Sequence, residues 1–198
     1  MRDKFIIIGF PKCGQISLIN YVREKFKEVI IKKDELIWNR NGPEIFLEKY
    51  ADRVTPMLIT RDPIERMWSA YNYFQFGGDD WEHGHGDPPI CEQYTFPEYL
   101  DIKGYEHHLG EMNPVSQSNY AKWKKHWKDK IGHIKTFKLE ELIKKEDFPH
   151  KNITQEVTKH WKGKVIQKMP EEYATLAKAK LELEVQEHKE PSWSVDYK

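Results

Sequence analysis

The sequence predicts an α/β fold, and three observations predict it. An apolar, β-branched run near the start leads through a glycine-bearing turn into a helical pattern. A second apolar run, Pro56 to Thr60, leads through Pro63 into another helical pattern. Between and after them, short apolar runs alternate with helical stretches, the order expected when helices pack on a sheet.

The first strand is Phe5-Ile6-Ile7-Ile8, apolar at consecutive positions and therefore suited to burial on both faces. Gly9-Phe10-Pro11-Lys12-Cys13-Gly14 interrupts it, and the segment after Ser17 carries Leu18, Ile19, Tyr21, Val22 and Phe26 at helical spacing. A strand, a glycine turn and a helix N-terminus together favour an anion. Backbone N–H groups point outward, the helix dipole adds partial positive charge, and Lys12 adds a full one. The expected ligand carries phosphate or sulfate. Gly9 and Gly14 have the Gly-x4-Gly spacing of a Walker loop, but Gln15 and Ile16 stand where lysine and a hydroxyl residue belong. This disfavours an ordinary magnesium-nucleotide kinase.

Val29-Ile30-Ile31 reads as a second strand, followed by Asp34 and Glu35 in a charged stretch. Asn41-Gly42-Pro43 is a turn, and Pro43 to Tyr50 places Ile45, Phe46 and Tyr50 in a helical pattern. After the strand Pro56-Met57-Leu58-Ile59-Thr60 comes Arg61-Asp62-Pro63, with Pro63 suited to a first helical turn. Arg61 and Ser69 can hold a phosphate, the guanidinium as a fork and the hydroxyl as a further donor. The alternative is a surface pair between Arg61 and Asp62 or Glu65, with Ser69 on a helix surface.

From Asn72 to Ser118 regular periodicity is lost among Gly77-Gly78, Gly84, Gly86 and Pro88-Pro89. His83, His85, Asp79, Asp80 and Asp87 match no zinc spacing and read as surface loop. Trp81 to Met112, with His107 and His108, is the expected cover of a ligand pocket, and Phe96 to Leu100 the expected short helix beneath it. Ser118 to Lys130 reads as an amphipathic helix with Tyr120, Trp123 and Trp127 on one face. Ile131 to Leu139 reads as a later strand, followed by Glu140-Glu141-Leu142. Pro170 to His188 reads as one long helix with Tyr173, Leu176, Leu181 and Val185 as contacts.

The chain of 198 residues is expected to form one domain, with its irregular region at about 75–118. Thirty-two basic and thirty-two acidic residues cancel, so neither nucleic acid nor an anionic membrane is expected as a partner. Cys13 and Cys91 do not make a disulfide framework, which suits a reducing compartment. With no signal-like or membrane-spanning run, a cytoplasmic location is expected.

The order Pro11-Lys12-Cys13-Gly14 after a first strand, with Arg61 ending a later strand and Ser69 on the helix after it, resembles sulfotransferases that use 3′-phosphoadenosine 5′-phosphosulfate (PAPS). The carbohydrate and heparan type is the nearest in pattern. The resemblance implies a three-layer α/β sandwich with a central, mainly parallel sheet, related to P-loop folds. It implies a 5′-phosphosulfate site at Pro11, Lys12, Cys13, Gly14, Gln15, Ile16 and Ser17, and a 3′-phosphate site at Arg61 and Ser69. Lys12 would be catalytic, and Glu35, or Asp34 beside it, would be the base toward an acceptor hydroxyl, a sugar or another small molecule. No metal is required, and 3′-phosphoadenosine 5′-phosphate (PAP) is the product. Trp161-Lys162-Gly163-Lys164 resembles a basic loop that reaches the 3′-phosphate in some members. Gln15 and Ile16 depart from the pattern, which has two threonines there. Two alternatives follow: a PAP or nucleotide binder of the same fold with little transferase activity, and an atypical nucleotide or small-molecule kinase.

Overall fold

The computed structural model describes residues 4–9, 12–26, 29–31, 36, 41–75, 94–101, 120–132, 134–146, 148 and 168–189. The expectations placed on Pro11, Asp34, Glu35, Cys91, the histidines of the long loop and Trp161 to Lys164 lie outside the described residues.

Four strands, β1 (Lys4–Gly9), β2 (Val29–Ile31), β3 (Thr55–Thr60) and β4 (Lys135–Lys138), form one open sheet in the order β2-β1-β3-β4. Every neighbouring pair is parallel. Helices flank it, so the class is α/β. They are α1 (Gln15–Phe26), α2 (Gly42–Lys49), α3 (Pro63–Gln75), α4 (Phe96–Asp101), α5 (Tyr120–Ile131), the single turn α6 (Leu139–Leu142), α7 (Glu171–Lys180) and α8 (Glu182–His188). Among the described residues no helix is long and apolar enough to cross a membrane.

The central strands behave as their consecutive apolar residues require. Ile6, Ile7 and Ile8 are buried on both faces of β1, and Met57, Leu58 and Ile59 do the same in β3. Their register places Ile7 opposite Met57 and Gly9 opposite Ile59. Each such side chain contributes on the order of 1.5–3 kcal/mol from apolar burial, so these two strands dominate the sheet's placement. The core around them takes in Leu18 and Val22 of α1, Phe46 of α2, Trp127 of α5 and Phe137 of β4. Phe46 and Trp127 meet edge to face with centroids 6.2 Å apart.

A second core lies where α3, α4 and α7 meet, built on Met67, Ala70, Tyr71, Phe96, Tyr99, Leu100 and Ala177. Trp68 stands perpendicular to Phe96 at 5.0 Å, and Tyr71 approaches Phe96 at 5.4 Å. Thr95 begins α4 in a capping box: its amide and hydroxyl both donate to Glu98 Oε2 at 2.7 Å.

Several boundaries differ from expectation, among them the end of α3, which stays helical through Gln75 although regular periodicity was expected to end at Asn72. Helix α1 begins at Gln15, two residues before Ser17, because Gly14 turns the chain into it with φ 86°. Helix α5 runs through Ile131 and stops at Gly132, φ 71°, so β4 starts only at Lys135. The stretch from Pro170 to His188 is two helices, since Leu181 leaves helical geometry at φ −110° and ψ 29°.

Candidate anion-binding site

The strand order fixes where a ligand meets this sheet. From β1 the chain moves to β2 on one side, and β3 then lies on the other side of β1. Such a reversal opens a crevice outside the carboxyl ends of the two central strands, the usual ligand position in open α/β sheets. Lys12 follows β1 and Arg61 follows β3, so both flank that crevice.

The loop after β1 is held in an unusual backbone shape. Lys12 has φ 66°, left-handed for a residue with a Cβ, and Gly14 has φ 86°. The first helical hydrogen bond runs from the Leu18 amide to the Gly14 carbonyl at 3.1 Å, which makes Gly14 the N-cap of α1. The amides of Gln15, Ile16 and Ser17 are thus those of the first turn, to which an α-helix supplies no acceptor. Cys13 turns inward and is fully buried in the main core, Ser17 is buried, and Ile16 is 51% exposed. Gly14 also lies against α6: a Cβ there would come 2.7 Å from Leu139 Cδ1.

Gln15 does not stand free at the helix start. Its Nε2 donates to the Gly9 carbonyl, tying the first helical residue to the last residue of β1. Gly9 is obligatory beneath it, since a Cβ would meet Ile59 Cγ2 at 2.7 Å and Gln15 Cγ at 2.8 Å.

Arg61 closes the other side. Its Nη1 donates to the main-chain carbonyl of Lys12 at 3.2 Å, so the two segments singled out in the sequence meet. The surface pairing considered as the alternative is also present, with Arg61 Nη2 3.8 Å from Glu65 Oε2. That contact is long and Glu65 is exposed, so it contributes little. Ser69 lies on α3 off the buried stripe of Pro63, Arg66, Met67, Ala70 and Tyr71, on the side shared with Asp62 and Glu65. It is partly exposed.

Two residues of this corner were not singled out as site residues in the sequence. Glu140, at the start of α6, accepts from the Asp62 amide through Oε1 at 2.7 Å. Its Oε2 lies 3.5 Å from His188 Nε2 on α8. Burial pushes the Glu140 carboxyl up, but the facing His188 side chain and the hydrogen bond from the Asp62 amide outweigh it and hold the group below the usual carboxylate range. Only the acidic pair after a strand was visible in sequence, and nothing there marks an approach to a position 78 residues away. Among the described residues no cluster of three or more histidine, cysteine or acidic side chains is arranged for a metal.

The residues that flank the crevice include Lys12, Arg61 and the first-turn amides of α1, groups able to donate hydrogen bonds or carry positive charge. That set suits a phosphate or sulfate dianion. Comparison of the chain with protein-family models, with curated proteins and with solved structures finds no match.

Proposed function

We propose that this protein is a PAPS-dependent sulfotransferase acting on a hydroxyl acceptor, with a carbohydrate as the favoured class. The observation that carries the reading is the Arg61–Lys12 bond at the strand-order reversal, which joins the two segments whose pattern resembles that family. In this reading the chain takes the three-layer sulfotransferase arrangement of the P-loop class. The donor's 5′-phosphosulfate lies against the first turn of α1, with Ser17 donating there, and its 3′-phosphate lies toward Arg61 and Ser69.

The reaction is an in-line displacement. The acceptor oxygen forms a bond to sulfur as the bond between sulfur and the 5′-phosphate oxygen breaks. Lys12 neutralises the charge that builds on the departing phosphate, and Glu35 takes the hydroxyl proton. No step requires a metal. The test is transfer from labelled PAPS to an acceptor panel by wild type and Lys12→Ala. Loss of at least about a hundredfold in the variant is expected, the scale for one charge partner of the transition state. Equal rates would remove Lys12 from the chemistry.

A second reading is favoured by one observation. Gln15 spends its amide on the Gly9 carbonyl at a position where the family pattern has a hydroxyl. A PAP-binding protein with little transferase activity fits that substitution. It binds PAP without magnesium and releases no labelled sulfate.

A further inference from the structure

Asp62 caps α3. Its Oδ1 accepts from the amides of Ile64 and Glu65, both at 3.0 Å, and Pro63 occupies the first helical position. In a capping box the acid three residues on, here Glu65, reaches back to the cap's own amide. Glu65 instead faces Arg61. The Asp62 amide is taken by Glu140, which arrives from α6 beyond the end of β4. A contact normally made within one helix is therefore made between two elements. Its consequence falls on the residue before the cap, Arg61, whose guanidinium reaches the Lys12 carbonyl. His188 on α8, only 14% exposed, closes on the other oxygen of the same carboxylate.

We propose that Glu140 is a positioning residue for the anion site: by holding the Asp62 amide it fixes the Arg61–Asp62 corner and, through Arg61, the shape of the loop at Lys12. The inference rests on Lys12 and Arg61 forming the site, but not on the identity of the ligand. It also makes the docking of α8, through His188, part of the support of that site.

Cys13 supplies a readout independent of any ligand. Its thiol is fully buried beside Lys12, so alkylation at Cys13 reports opening of the loop. Iodoacetamide labelling is followed at the Cys13 peptide by mass spectrometry in the folded full chain, for wild type, Glu140→Ala and Glu140→Gln. Glutamine keeps an oxygen that can accept from the Asp62 amide, and alanine does not. The alanine variant is expected to label about tenfold faster, the order of factor that one hydrogen bond to a charged group supplies. The glutamine variant is expected to stay within about threefold of wild type, since it keeps the bond but loses the charge. PAP titration of the same proteins should show the same ranking, with weakest binding in Glu140→Ala. An alanine variant that labels at the wild-type rate, or a glutamine variant as fast as alanine, overturns the proposal. If wild type binds no PAP, the transferase reading fails, while the labelling rates still decide the role of Glu140.

Discussion

Arg61 and Lys12, 49 residues apart, meet through a 3.2 Å hydrogen bond from the Arg61 guanidinium to the Lys12 carbonyl. The bond spans the crevice between the two central strands and holds a loop whose lysine is in left-handed geometry. Arg61→Ala removes that support and, in the proposed reading, a phosphate partner as well, so PAP affinity is expected to fall by on the order of tenfold or more. Arg61→Lys should recover little, because an ammonium lacks the guanidinium fork. Calorimetry of the three proteins decides it; a lysine variant equal to wild type would show that only charge matters.

The backbone at Lys12 separates chemistry from stability. A left-handed residue with a Cβ costs about 1–2 kcal/mol relative to the right-handed form, and glycine escapes that cost. Lys12→Gly is therefore expected to unfold at a temperature no lower than wild type while losing transfer. Thermal unfolding beside the labelled-sulfate assay checks this. A marked drop in unfolding temperature would mean that the lysine side chain itself holds the loop together.

Gly14 has no such latitude. At φ 86°, and with Leu139 Cδ1 2.7 Å from where a Cβ would sit, Gly14→Ala strains the backbone and pushes α6 away from the loop. Destabilisation of about 1–3 kcal/mol is expected, measured by denaturant unfolding. An unchanged midpoint would show that α6 yields freely.

Acid should loosen the same corner. The Glu140 pKa is lowered in the folded chain below its ordinary 4.5, so its contribution is present above that value and is lost as pH falls through the lowered pKa. The side chain set against its Oε2 is that of His188, 3.5 Å away. Glu140→Gln, which cannot titrate, is expected to show a flatter loss of stability with acid below about pH 4.5. Parallel curves for variant and wild type would contradict this.

Much of the fold was legible because its strongest signals are local. The unbroken apolar runs at Ile6 to Ile8 and Met57 to Ile59 admit only strands buried on both faces, and Pro63 marks the start of its helix. The loop at Lys12 and the segment at Arg61 were singled out from residue type and order, but the hydrogen bond between them was not legible, since the pattern marks Arg61 as a phosphate ligand. Glu140 was not legible either, because its role comes from spatial approach to Asp62, which no local pattern encodes. The tie from Gln15 to Gly9 was hidden for a different reason. Read as a lost hydroxyl, Gln15 is a defect, whereas in the fold its longer side chain reaches back across the loop. The break at Leu181 was equally silent, since the helical spacing of apolar residues continues through it.

The most direct test of the account is a magnesium-free calorimetric titration of the full chain with PAP, set beside magnesium-ATP. Saturable binding of PAP, tighter than that of magnesium-ATP and weakened by both Lys12→Ala and Arg61→Ala, is the expected result. No heat with PAP, or a preference for magnesium-ATP, would contradict it.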